Sequence, residues 1–203
     1  MNIDQIMNHA PVIPVLVLDG SIDPRALAET LVDAGLPVIE VTLRTASALD
    51  SIRAMGAVRG AIVGAGTVLN AQLLGAAIDA GSQFIVSPGL TETLGRAAIA
   101  SGVPFLPGVA DAGDIMRGLD LGLDRFKFFP AEASGGLPAL KALAAPFGNV
   151  RFCPTGGITQ ESAAQWLAHP SVACVGGSWM VPAGETGLTV IGDRAKRAAV
   201  LGG

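Results

Sequence analysis

Lys127 stands in the run RFKFFPAE (125–132), flanked by Phe126 and Phe128, with Phe129 one step further on. Lysine is almost never fully buried unless something pairs with it or uses it. Strand alternation puts Arg125, Lys127 and Phe129 on one face and Phe126 and Phe128 on the other. The phenylalanine pair is expected to pack against helices, which sends Lys127 inward and lets Phe129 line the same interior. The chain has two other lysines, Lys141 and Lys196, both in helix-patterned stretches expected to be solvated. Desolvation penalises a charged amine, and a neutral amine can attack a carbonyl carbon to form a Schiff base. The alternative is a buried salt bridge with no chemistry in it.

The natural partner is Glu40. In PVIEVTLRT (37–45), alternation places Val38, Glu40 and Thr42 on one face and Ile39, Val41 and Leu43 on the other. The aliphatic set should face helices, so Glu40 points inward, where a carboxylate is costly without a partner or a task. Arg44 continues the parity of Glu40 at the strand end, from where its long side chain can lean over the mouth of the site.

Two strand ends are glycine pairs: PTGGIT (154–159) and GGSWMVP (176–182). Glycine lets the backbone approach a ligand and present N–H groups, and a following helix N-terminus favours an anion. Gly156, Gly157, Gly177 and Ser178 are therefore candidates for holding a phosphate; ordinary tight turns are the plainer reading. GAGTVLN (64–70) lacks the third glycine of a dinucleotide fingerprint, so that function is rejected. Thr67 at its end can donate a hydrogen bond into the mouth, and Pro88 is expected to shape the exit of the next strand. His9 and His169 have no metal-ligand spacing with a carboxylate, so no metal and no cofactor are expected.

These residues are positioned by a repeating pattern. Eight β-like runs begin at residues 12, 37, 61, 84, 104, 125, 151 and 172, separated by Ala/Leu-rich helical stretches. Asp23 before Pro24 and Asp111 are expected N-caps; Gly35, Gly81 and Gly102 are expected helix stops. Alternation of strand and helix implies a parallel sheet with right-handed crossovers. Eight units in 203 residues fit a single compact (β/α)8 TIM barrel with an N-terminal helix, one domain over 1–203, better than an open doubly wound sheet. The net charge of −4, with scattered basic residues, argues against nucleic-acid binding. The N-terminus lacks a secretory pattern, no apolar run reaches the ~18 residues of a membrane span, and Cys153 and Cys174 read as buried free thiols. A cytoplasmic protein without membrane contact is expected.

Taken in order, EVTLRT, GAGTV, SPG, LPGV, KFFPAE, APFGNVRFCPTGGI and VGGSWMVP resemble the 2-keto-3-deoxy-6-phosphogluconate (KDPG) aldolases, whose related members act on 4-hydroxy-2-oxoglutarate. The likeness runs over about residues 10–182. It implies that Lys127 is the Schiff-base lysine and Glu40 the general acid–base. It further implies that Arg44 and Thr67 bind the substrate carboxylate, that Phe129 and Thr155 line the pyruvyl pocket, and that the glycine exits hold the phosphate. The partner implied is a phosphorylated keto acid, and the assembly implied is a homotrimer. Main activity on 4-hydroxy-2-oxoglutarate or on the galactonate epimer is the near alternative. A phosphosugar isomerase or synthase, or a non-catalytic binding barrel, is a more distant one. ADAGDIM (110–116) departs from the Thr/Ser-Pro-Glu start that the family tends to show there, although Asp111 can still cap.

Overall fold

The computed structural model describes residues 1–201; the two terminal glycines, included above in the single domain, lie outside the described residues. The described residues form nine short strands: β1 (Val12–Leu16), β2 (Val38–Thr42), β3 (Ile62–Gly66), β4 (Ile85–Val86), β5 (Phe105–Leu106), β6 (Gly108–Val109), β7 (Arg125–Phe128), β8 (Arg151–Pro154) and β9 (Val175–Gly177). All pairings are parallel. One sheet runs β5-β4-β3-β2-β1-β9 and the other β6-β7-β8. The two join through the chain at Pro107 and through the bridges Phe152↔Val172 and Thr155↔Gly176, which closes the ring as a barrel. The fifth expected run is thus split into β5 and β6. Pro107 has no N–H for the ladder, and only its carbonyl takes part, accepting from Lys127 N at 2.9 Å.

Strand alternation sorts the side chains into two apolar regions. Outward-facing Ile39, Val41, Val63, Ala65, Phe126, Phe128, Phe152 and Val175 form the sheath beneath the helices. Inward-facing Ile13, Val38, Phe84, Val86, Leu106, Cys153 and Cys174 form a smaller core inside the barrel. The expected N-terminal helix, α1 (Ile3–Met7), contributes Ile6 and Met7 to that inner core. It therefore stoppers the barrel at its N-terminal end. Its start is a capping box between Asn2 and Gln5, and Asp4 pairs with Arg125 at the foot of β7. Burying two large aliphatic side chains contributes roughly 2 kcal/mol each, more than this exposed-edge ion pair can.

Five of the outer helices begin at a side-chain N-cap, and two of these caps, Asp23 and Asp111, are the expected ones. The Asp23 carboxylate accepts from Arg25 N and Ala26 N at the start of α2 (Pro24–Asp33). Asn70, Thr91, Asp111 and Thr159 cap α4 (Ala71–Asp79), α5 (Glu92–Ser101), α6 (Ala112–Asp120) and α8 (Gln160–Leu167) in the same way. The remaining helices are α3 (Ala48–Gly56), α7 (Gly136–Ala144) and α9 (Leu188–Ala199). Among the described residues no helix is long and apolar enough to cross a membrane.

Candidate active site

Glu40 and Lys127 approach each other from opposite walls of the barrel. Glu40 lies mid-strand on β2, in register with Val15 of β1 and Gly64 of β3. Lys127 lies on β7 between Gly108 and Cys153. The flanking residues are small or medium-sized, which leaves the two long side chains room to cross the interior. Lys127 Nζ donates to Glu40 Oε1 at 3.0 Å and to Oε2 at 3.3 Å. Both residues are buried, at 5% and 3% exposure. The ammonium also stands 5.4 Å from the centroid of the Phe129 ring. Phe126 and Phe128 face the helices, so the division of the phenylalanines follows the alternation.

Next to the pair, lined by its neighbours Phe129 and Val15, is an open cavity of about 200 Å³. Arg44, Phe129, Thr155, Gly156, Gly157, Gly177 and Ser178 all line this cavity. Arg44 is exposed and makes no ion pair with a carboxylate among the described residues. Gly156 and Gly157, at φ +105° and +81°, form the turn that leads into Thr159 and α8. These are left-handed conformations that a side-chain-bearing residue adopts only with strain. Ser178 is exposed at the opposite lip, and Gly177 is covered from behind by the Trp179 ring. A wider outer cleft of about 390 Å³ shares Val15, Val17, Arg44 and Ser178 with the cavity and extends past Asp19, Ser21 and Glu185.

Four expected residues are not part of that lining: Lys127 and Glu40, buried beside it, and Thr67 and Pro88, which stand further apart. Thr67 follows the end of β3 at φ +58° and is the one non-glycine residue with positive φ among those described. Pro88, at the end of β4, lines a separate apolar crevice with Val68, Leu69, Leu90 and Leu94. Its backbone packs against Gly108 on β6.

Val15, Val17, Thr42, Ile158 and Gly176 also line the cavity, although their residue types carry no chemical signal in the sequence. The parity of β1 was the available signal: Ile13, Val15 and Val17 share the inward face, with Ile13 in the floor.

Both thiols, Cys153 and Cys174, are buried. The hydrogen bond that the Cys174 thiol gives to Cys153, and then burial, push that thiol well above the ordinary thiol range. A protonated, enclosed thiol is packing material rather than a nucleophile. Among the described residues no group of three or more His, Cys, Asp or Glu side chains could hold a metal ion. The arrangement offers one amine, one carboxylate in proton-transfer contact with it, a free guanidinium and two glycine-rich rims. Such a set can bind an anionic carbonyl compound, attack its carbonyl, and move the protons that follow.

The family model described as "Aldolase: KDPG and KHG aldolase" matches residues 3–191. The chain is 59% identical over 200 residues to the 2-dehydro-3-deoxy-phosphogluconate aldolase of Zymomonas mobilis, covering 98% of this chain and 96% of that one. A crystal structure of 2-keto-3-deoxy-6-phosphogluconate aldolase from Zymomonas mobilis superposes with a TM-score of 0.97 at 58% identity, covering 99% of this chain and 98% of that one. A KDPG aldolase from Legionella pneumophila, solved with pyruvate captured at low pH as a covalent carbinolamine intermediate, superposes with a TM-score of 0.94 at 39% identity. There the coverage is 98% of both chains.

Proposed function

The chain belongs to the KDPG and KHG aldolase family, and we propose that Lys127 is its Schiff-base nucleophile and Glu40 its general acid–base. The enzyme is a class I carbon–carbon lyase that reversibly cleaves 2-dehydro-3-deoxy-6-phosphogluconate to pyruvate and D-glyceraldehyde 3-phosphate, the aldol step of the Entner–Doudoroff route. The observation that carries the residue assignment is the buried 3.0 Å contact between Lys127 Nζ and Glu40 Oε1, next to Phe129 of the cavity wall.

In the resting pair, transfer of one proton from Nζ to the carboxylate yields a neutral amine and a carboxylic acid. The amine attacks C2 of the ketone. Glu40 supplies the proton that lets the carbinolamine lose water, leaving an iminium ion. The Glu40 carboxylate then takes the C4 hydroxyl proton through a water molecule while the C3–C4 bond breaks. That electron pair flows into the iminium, giving an enamine and releasing the aldehyde. Protonation at C3 and hydrolysis return pyruvate and free Lys127. The iminium supplies the electrophilic pull that a Lewis acid supplies in metal-dependent aldolases.

We assign Arg44 and Thr67 to the substrate carboxylate, Phe129 and Thr155 to the pyruvyl wall, and Pro88 to the shape of the β4 exit. Gly156, Gly157, Gly177 and Ser178 take the phosphate. Their position on two adjacent rims of the cavity that contains Phe129 and Thr155 supports this division. A homotrimer, implied by the family resemblance, would cover apolar surface such as the half-exposed Leu69; sedimentation velocity reading a monomer would reject it. Two buried free thiols suit the reducing cytoplasm, the compartment we propose.

The substrate is tested by kcat/KM for KDPG, its C4 epimer and 4-hydroxy-2-oxoglutarate. Charge-assisted phosphate contacts worth about 1.5–3 kcal/mol give KDPG at least a roughly tenfold advantage over the unphosphorylated acid. Equal or better turnover of either competitor overturns the assignment.

A further inference from the structure

β3 carries no side chain toward the upper barrel interior. Gly64 and Gly66 occupy its inward-facing positions, and side chains from neighbouring strands fill the space they leave. The Phe84 ring covers Gly64, and the Glu40 side chain lies across Gly66. A Cβ placed on Gly66 would overlap Glu40 Oε1 and stand 2.7 Å from its Cγ and 2.8 Å from its Cδ, well inside van der Waals contact. Gly66 itself is not in the left-handed region. Its backbone would accept any residue, so Glu40 is what requires the position to be bare.

We propose that Gly66 is a positioning residue for the acid–base step: its side-chain-free Cα is the seat that turns the Glu40 carboxylate toward Lys127. This rests on the reading of Glu40 as the general acid–base. The strands cannot separate to admit a methyl group, because Glu40↔Gly64 and Thr42↔Gly66 are held in parallel register. The carboxyl group, at the free end of its side chain, is what moves. In moving it leaves the 3.0 Å contact with Lys127. Proton transfer is lost, while the lysine nucleophile keeps its place on β7.

The test is a double-mutant cycle of Gly66→Ala with Glu40→Ala, read in kcat, KM and Tm. With Glu40 present, Gly66→Ala lowers kcat by at least about thirtyfold, a fraction of the 10²–10⁴ that acid–base catalysis commonly contributes, with a smaller change in KM. Pyruvate remains trappable on Lys127 by borohydride after long incubation, and deuterium exchange into the pyruvate methyl group slows in parallel with kcat. In the Glu40→Ala background the collision is gone, so Gly66→Ala changes kcat less than about twofold and Tm by less than about 2 °C. Equal kcat losses in both backgrounds, or full turnover of Gly66→Ala alone, overturn the proposal. If Gly66→Ala alone fails to fold, folding of the double variant supports the seat, and failure of both overturns it. Wild-type turnover by Glu40→Ala refutes the acid–base reading; the Tm arm still reports whether Gly66 seats Glu40.

Discussion

Replacing Glu40 with glutamine keeps the shape of the side chain and removes its charge, which leaves the Lys127 ammonium alone in the barrel. At 3.0 Å and an effective dielectric near 20, the attraction lost is about 5 kcal/mol. Desolvation of two groups at 7% and 4% side-chain exposure cancels much of this in the intact pair, so the pair itself adds little net stability. The single substitution is costly for a different reason. An uncompensated buried charge typically costs about 3–5 kcal/mol. The adjacent cavity of about 200 Å³ has room for several waters, at about 30 Å³ each, to approach the ammonium. Hydration therefore puts the expected loss at the lower end, about 3 kcal/mol. For a chain of 203 residues that is a fall in Tm of roughly 6–12 °C. Lys127→Met leaves the carboxylate alone and should cost a similar amount. The double variant Glu40→Gln/Lys127→Met carries no buried charge and should recover about 2 kcal/mol relative to the sum of the singles. Urea unfolding followed by circular dichroism measures all three. Activity, followed through coupled NADH oxidation by lactate dehydrogenase, should fall about 10²–10⁴-fold in Glu40→Gln, or roughly 3–5 kcal/mol of barrier. An unchanged Tm in Glu40→Gln, or strict additivity in the double variant, refutes the buried, coupled pair.

Arg44→Ala should raise KM for the phosphorylated substrate about tenfold or more with a smaller effect on kcat; its stability should stay within about 0.5 kcal/mol, because the side chain is exposed and pairs with no carboxylate among the described residues. Gly157→Ala must strain a backbone at φ +81° and crowd Glu132 Cγ at 2.7 Å, so unfolding should show a loss of about 1 kcal/mol or more. Its KM should rise more for KDPG than for 4-hydroxy-2-oxoglutarate, and equal effects on both would remove Gly157 from the phosphate site. Cys174 predicts an alkaline effect whose sign follows from its raised pKa. The unfolded thiol ionises first, so the contribution to stability is complete below the ordinary thiol range and is lost as pH rises from there toward the folded value. Denaturation midpoints above that range should fall with pH in the wild type and flatten in Cys174→Ala; identical slopes would contradict it.

The pattern of the barrel was legible because its chemistry is local. Period-two alternation separated Phe126 and Phe128 from Lys127, and Ile39 and Val41 from Glu40, and the structure sorts them into sheath and interior in that way. Asp23 and Asp111 announced their helices because a carboxylate can satisfy the free N–H groups of a first turn without tertiary help. The less legible features depend on what faces a residue across space. Pro107 splits the fifth run because its ring removes one ladder donor, an interruption that alternation alone does not register. Val15 and Val17 line the cavity because β1 stands beside the β9 exit. Gly66 looked like half of a failed nucleotide fingerprint. Its role became visible only when the Glu40 side chain was seen to occupy the space above it.

The central claim is that Lys127, alone among three lysines, forms a covalent imine with the keto acid. Incubation with pyruvate and borohydride, followed by peptide mapping, tests it directly. The expected result is one reduced pyruvyl adduct per chain, located on Lys127, with activity lost in step with labelling. An adduct on Lys141 or Lys196, or continued turnover with no adduct on any lysine, would contradict the account.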